Sequence, residues 1–140
     1  MNFMKHPGLI LLLLASPTWS AQNQICPDRI QLESAQFKPA KPSPGWVAGV
    51  SSGPVWLSGF NLFDGPPEMG AQLKPQEADT HANLSVWRFS SPTPDLWLSC
   101  DYALGLFRLA MPVKEAVTEC RVVSKSAGQP KILQASFTCQ

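Results

Sequence analysis

Histidine, tyrosine and net charge are all scarce in this chain. Its 140 residues hold two histidines and one tyrosine, and 11 basic residues face 10 acidic ones for a formal charge of +1. Without a basic excess or cluster there is no footprint for nucleic acid or an anionic membrane surface. The longest apolar run, residues 9–15, falls far short of the ~20 residues a membrane-spanning helix needs. No G-x-S-x-G, H-E-x-x-H or phosphate-cradling glycine loop occurs, and no internal repeat is visible. Paired acids for glycoside chemistry need a set separation of about 5–10 Å, and Asp64, Glu68 and Asp101 form no such pair by spacing. The chain therefore reads as a non-enzyme without a cofactor.

The first residues, "MNFMKHPGLILLLLASPTWS", have a basic start at Lys5, a short greasy centre and small residues at Thr18 and Ser20. That is the layout of a secretory signal peptide cut after Ser20. No cysteine follows the greasy run, so no lipid anchor is indicated. Residues 1–20 are read as a cleaved leader and 21–140 as one exported domain, too short for two. Its twelve prolines and few helix-favouring runs argue for short strands and ordered loops. An antiparallel β domain, meander or sandwich-like, with little helix is the predicted fold.

All four cysteines, Cys26, Cys100, Cys120 and Cys139, lie in the exported part. An even count in a small exported domain is most simply a disulfide framework. Alternation along the strands agrees: Leu96, Leu98, Cys100 and Tyr102 share one face, and Leu133, Ala135, Phe137 and Cys139 share another. The opposite face of the first segment carries Trp97, Ser99 and Asp101. Sequence leaves three pairings open. The preferred one is Cys100–Cys120, pinning a two-strand unit, with Cys26–Cys139 tying the ends together. Wide cysteine spacing disfavours a metal site, and a core-facing, oxidised Cys100 disfavours a thiol nucleophile paired with His81.

Along the chain, strands are predicted at "CPDRIQLESAQF", "GPVWLSGFNLF", "NLSVWRFS", "LWLSCDYAL", "LFRLAMP", "ECRVVS" and "KILQASFTC". The proline-rich stretch ending at Trp46 reads as an extended loop, and "AQLKPQEADTHA" as polar loop with at most one helical turn. "SPTPD" reads as a loop, "PVKEAVTE" as a possible helical turn, and "SAGQP" as the clearest turn. The most distinctive loop is "FNLFDGPPEMG", where Phe63, Asp64 and Glu68 flank Pro66 and Pro67. A rigid tip bearing an aromatic and an acid loses little entropy on docking. Phe63, Asp64, Pro66, Pro67 and Glu68, with Trp97 and Asp101, are the candidate binding residues. An envelope or secreted protein is the expected partner.

Several motifs occur in a fixed order: C-P at Cys26, G-W at Gly45, L-x-x-F-x-L-F-D-G-P-P-E from Leu57 to Glu68, W-L-S-C-D-Y from Trp97 to Tyr102, L-x-M-P at Leu109 and E-C at Glu119. This order resembles the uncharacterised exported proteins of proteobacteria grouped as the STY-type family. The resemblance implies export and a small domain of unassigned activity, and it brings no catalytic residues. Some members resemble proteins encoded near type VI secretion machinery, which implies an immunity role against a periplasmic toxin as one alternative. A binding or inhibitory module is the main expectation. A small cell-wall hydrolase and a structural envelope component are the others.

Overall fold

The computed structural model describes residues 21–34, 36, 44–45, 49–50, 52–79 and 83–140. Residues 1–20, Trp46 and His81 lie outside the described residues. Among the described residues, ten strands run in the order β1 (Gln22–Ile25), β2 (Arg29–Leu32), β3 (Gly53–Asp64), β4 (Ala71–Leu73), β5 (Glu77–Asp79), β6 (Leu84–Thr93), β7 (Leu96–Tyr102), β8 (Phe107–Pro112), β9 (Val117–Ala127) and β10 (Ile132–Cys139). One sheet has the order β1-β10-β9-β6-β5, and the second β2-β3-β7-β8 with β4 also on β3. All pairings are antiparallel. The fold is thus mainly β, as the sequence predicted, and the two sheets face each other across one core.

Period-2 alternation places the core. From the second sheet Leu57, Leu62, Leu96, Leu98 and Tyr102 turn inward, and from the first Trp87, Cys120, Val122, Ala135 and Phe137 meet them. Phe60 and Phe137 touch edge to face across the sandwich, ring centroids 6.0 Å apart. On the β4 side, Trp87 Nε1 reaches over to donate to the Leu73 carbonyl at 3.0 Å. On the other side, residues 26–28 cross from sheet to sheet. Tyr102 donates its hydroxyl to the Pro27 carbonyl at 2.8 Å, and Leu57 N–H donates to Asp28 at 2.9 Å.

The disulfides correct the preferred pairing. Cys26 joins Cys100, and Cys120 joins Cys139; neither Cys100–Cys120 nor Cys26–Cys139 forms. The first bridge links the end of β1 to β7 in the opposite sheet. The second crosses adjacent strands at the paired position Cys139–Cys120. Topology decides this, because β7 and β9 lie in different sheets. Three local readings also change. Strands β1, β4 and β5 occupy segments that alternation missed or read as loop, β6 continues through Pro92 into "SPT", and "VTE" opens β9 instead of a helical turn. These short pieces are held by ladder bonds to long neighbours, so their polar sequences need no apolar face of their own.

Tyr102 titrates differently from a free phenol. Burial, and after it the charge of Asp28, raises its pKa above the ordinary 10.0. The folded protein therefore holds this proton more tightly than the unfolded chain. That contribution to stability is complete below about pH 10 and is lost as pH rises through the folded value. Because the chain has a single tyrosine, tyrosinate absorbance reports this residue alone. The titration is expected to lag that of the urea-unfolded protein, and unfolding is expected to become easier above about pH 10, less so in Tyr102→Phe. Superimposed titrations of folded and unfolded protein would refute it.

Candidate functional site: the outer face of the second sheet

Register builds this face in rows. Gln72, Phe63, Trp97 and Pro112 lie side by side, then Asn61, Ser99 and Ala110, then Gly59, Asp101 and Arg108. Two arrays of side chains result: an aromatic row beside the end of β3, and a polar row beyond it.

The polar row converges on Asp101. Its carboxylate accepts from Ser99 Oγ at 2.7 Å, from Arg108 Nε at 2.8 Å and from Asn61 Nδ2. Gln72 Nε2 in turn donates to Asn61 Oδ1 at 2.5 Å, extending the chain of bonds to β4. Four strands are therefore joined through side chains as well as through their ladders. Asp101 is 5% exposed and Ser99 0%, so the hub is desolvated and its charge is met by a guanidinium. Arg108 then lies with its Cζ 5.0 Å from the Phe63 ring centroid, a cation–π contact over a ring that is itself 5% exposed.

These positions redistribute the candidate binding residues. Phe63 is a strand residue beneath Arg108, so it is part of the floor of the face and not of a loop tip. Asp101 is the buried hub instead of a group free to meet a ligand. Trp97 is half-buried in the aromatic row, while Asp64 and Glu68 are exposed and Pro66 and Pro67 half-buried. The "DGPPEMG" turn packs on itself. Met69 and Gly70 N–H groups donate to the Pro66 carbonyl at 2.9 and 2.5 Å, and Gly65 N–H to Asp95 at 2.9 Å. A Cβ at Gly70 would overlap the carbonyl oxygens of Asp64 and Gly65, so only glycine closes this turn. Met69 projects from it, 85% exposed. The structure thus brings Phe63, Trp97 and Asp101 onto one face and sets Asp64, Pro66, Pro67 and Glu68 at its end.

Two residues that the sequence did not single out complete the face. Arg108 and Asn61 carried no motif; only the register that seats them beside Asp101 reveals their part. Elsewhere, the outer side of the first sheet carries Glu119 between Arg88 and Arg121. Hydrogen bonding from Arg121, then from Arg88, draws the Glu119 pKa below its ordinary value against an opposing effect of burial. That cluster is solvent-screened and stabilises little. Between β1 and β8 a cleft of ≈ 230 Å³ opens, lined chiefly by Leu98, Leu109, Met111 and Phe137 beside the Cys26–Cys100 bridge. No group of His, Cys, Asp and Glu among the described residues could hold a metal ion.

Together these features define a small disulfide-stapled β-sandwich with one braced, half-apolar sheet face. Residues 52–140 match the family described as Type VI secretion system Tli immunity protein, and the chain belongs to that family. The matched segment runs from β3 to β10 and so contains the whole face. No curated protein and no solved structure matches the chain. No helix among the described residues is long and apolar enough to cross a membrane.

Proposed function

We propose that this protein is a periplasmic immunity protein: a stoichiometric binder that captures a type VI toxin and blocks it, working without catalysis. The observation that carries the reading is the family match over residues 52–140. The leader-like residues 1–20 support delivery to the periplasm. The docking surface in this reading is the outer face of β4-β3-β7-β8, with the "DGPPE" turn at its end. Trp97 and Arg108 are the residue types that dominate binding energy at protein interfaces. Because Arg108 is already fixed by Asp101 and Phe63, little of its side-chain entropy is left to lose on docking.

The experiment is a competition between kin. A strain deleted for this protein is expected to be killed by its type VI-competent parent and to survive a secretion-deficient one. Restoring the full chain rescues it. Restoring residues 21–140 alone, which stay in the cytoplasm, does not. Equal survival with and without the full chain would overturn the immunity reading. Rescue by the form lacking residues 1–20 would overturn the assignment to the periplasm.

A further inference from the structure

At the end of the face opposite the "DGPPE" turn, β7 and β8 are joined by a tip made of Ala103, Leu104, Gly105 and Leu106. Three consecutive residues there have positive φ: Ala103 at 48°, Leu104 at 57° and Gly105 at 88°. Glycine adopts this region freely, whereas a branched, bulky leucine does so only against a steric penalty. Leu104 gains no internal packing in return, being 95% exposed, and Leu106 is 77% exposed. An unfavourable backbone and an unburied apolar side chain thus coincide at one residue.

The tip is nonetheless held firmly. Ser58 Oγ accepts the Leu104 N–H at 2.9 Å and donates to the Asp101 carbonyl at 3.1 Å. Ser58 can do this because β3 shifts register between Leu57 and Gly59, and such a bulge re-aims a side chain. Leu106 N–H closes the turn onto the Ala103 carbonyl at 3.2 Å. One hydroxyl therefore ties the tip to the same residue whose carboxylate organises the face.

We propose that this tip is the plug of the toxin interaction, with Leu104 and Leu106 entering an apolar pocket of the effector whose rim is acidic. The proposal rests on the immunity reading and names the part of the surface that anchors it. The apolar interior follows from the two leucines and from the absence of any charge within the tip. The acidic rim follows from the cations that flank it. Arg108, whose Nε is held by Asp101, keeps a terminal nitrogen beside Gly105 of the tip, and Arg29 stacks on Trp56 with its Cζ 5.7 Å from the ring. The Arg29–Trp56 pair lies one step past Leu57–Tyr102, on the side toward which the tip projects. Strain held in place by a dedicated brace keeps the leucines presented before contact, so that binding does not have to order them.

The probe is the purified effector that the wild-type protein retains from type VI secretion fluid, identified by mass spectrometry and titrated by calorimetry. Leu104→Gly is the decisive variant, because glycine relieves the backbone while removing the plug. Its Tm is expected to equal or exceed that of wild type, and its affinity to fall by about 30-fold. Leu106→Ser is expected to lose affinity by about tenfold, and Leu104→Met to stay near wild type. If wild type holds the effector and Leu104→Gly holds it equally well, the plug is overturned and the immunity reading stands. If wild type retains no type VI effector, both fall. Leu104-dependent binding to phosphatidylethanolamine–phosphatidylglycerol vesicles, with no loss of effector affinity in the variants, would assign the tip to a lipid surface and overturn the pocket.

Discussion

Replacing Cys26 and Cys100 together by alanine is expected to destabilise the protein by about 4 kcal/mol, against about 3 kcal/mol for the pair Cys120 and Cys139. The two bridges close chain segments of 74 and 19 residues, and the longer closure removes more freedom from the unfolded chain. Position adds to the difference. Cys120 and Cys139 lie opposite each other in a β9–β10 ladder that runs seven paired positions besides theirs. Cys26 instead anchors the passage between the sheets, where Pro27 receives the Tyr102 hydroxyl and Asp28 the Leu57 N–H. With the total stability of a domain this size near 5–15 kcal/mol, losing the first bridge removes a large share of it. Urea unfolding of the two double variants measures the order. Equal costs, or a greater cost for Cys120 and Cys139, would refute the assignment of the inter-sheet bridge as the main staple.

The sequence carried one of these bridges in readable form and hid the other. "SAGQP" is legible as the turn between two strands, and stepping outward seven residues from the paired Ala127 and Ile132 reaches Cys120 and Cys139. Local hairpin logic thus contained the correct partner, whereas the preference for a Cys100–Cys120 unit set β7 beside β9, which β8 separates along the chain and which lies in the other sheet. Cys26–Cys100 depends on residues 26–28 crossing between sheets, a long-range event without a local signal. The inward face of β7 was legible because Leu96, Leu98 and Tyr102 alternate with polar residues. Its outward face was not, because what buries Ser99 and Asp101 comes from other strands: Asn61 from β3 and Arg108 from β8. The β7–β8 tip was missed for a similar reason. In sequence "YALGLF" looks like any apolar stretch, and only the backbone angles and exposure set Leu104 apart.

Asp101→Ala is expected to lower stability by about 2–3 kcal/mol, less than the ~3–5 kcal/mol that breaking a fully buried ion pair costs, because Arg108 keeps partial access to water. The side chain of Asp101 is 8% exposed and that of Arg108 32%. Removing the carboxylate leaves Ser99 Oγ without its acceptor at 0% exposure, and leaves Asn61 and Arg108 to seek water. The physical cause can be isolated by adding Arg108→Met, which removes the orphaned cation and keeps an apolar cover over Phe63. The double variant is expected to be more stable than Asp101→Ala alone, since a charge with no partner costs more than an apolar pair. Urea unfolding of both variants decides this, and a loss below about 0.5 kcal/mol for Asp101→Ala would show that the hub is not needed for the fold. The same change reaches the binding surface by two routes. It frees Arg108 from its position over Phe63, and it loosens the strand whose carbonyl, through Ser58, braces Leu104. Effector affinity is therefore expected to fall in Asp101→Ala even under conditions where the protein remains fully folded, and to be only partly recovered in the double variant, because Met restores packing but not the cation at the rim.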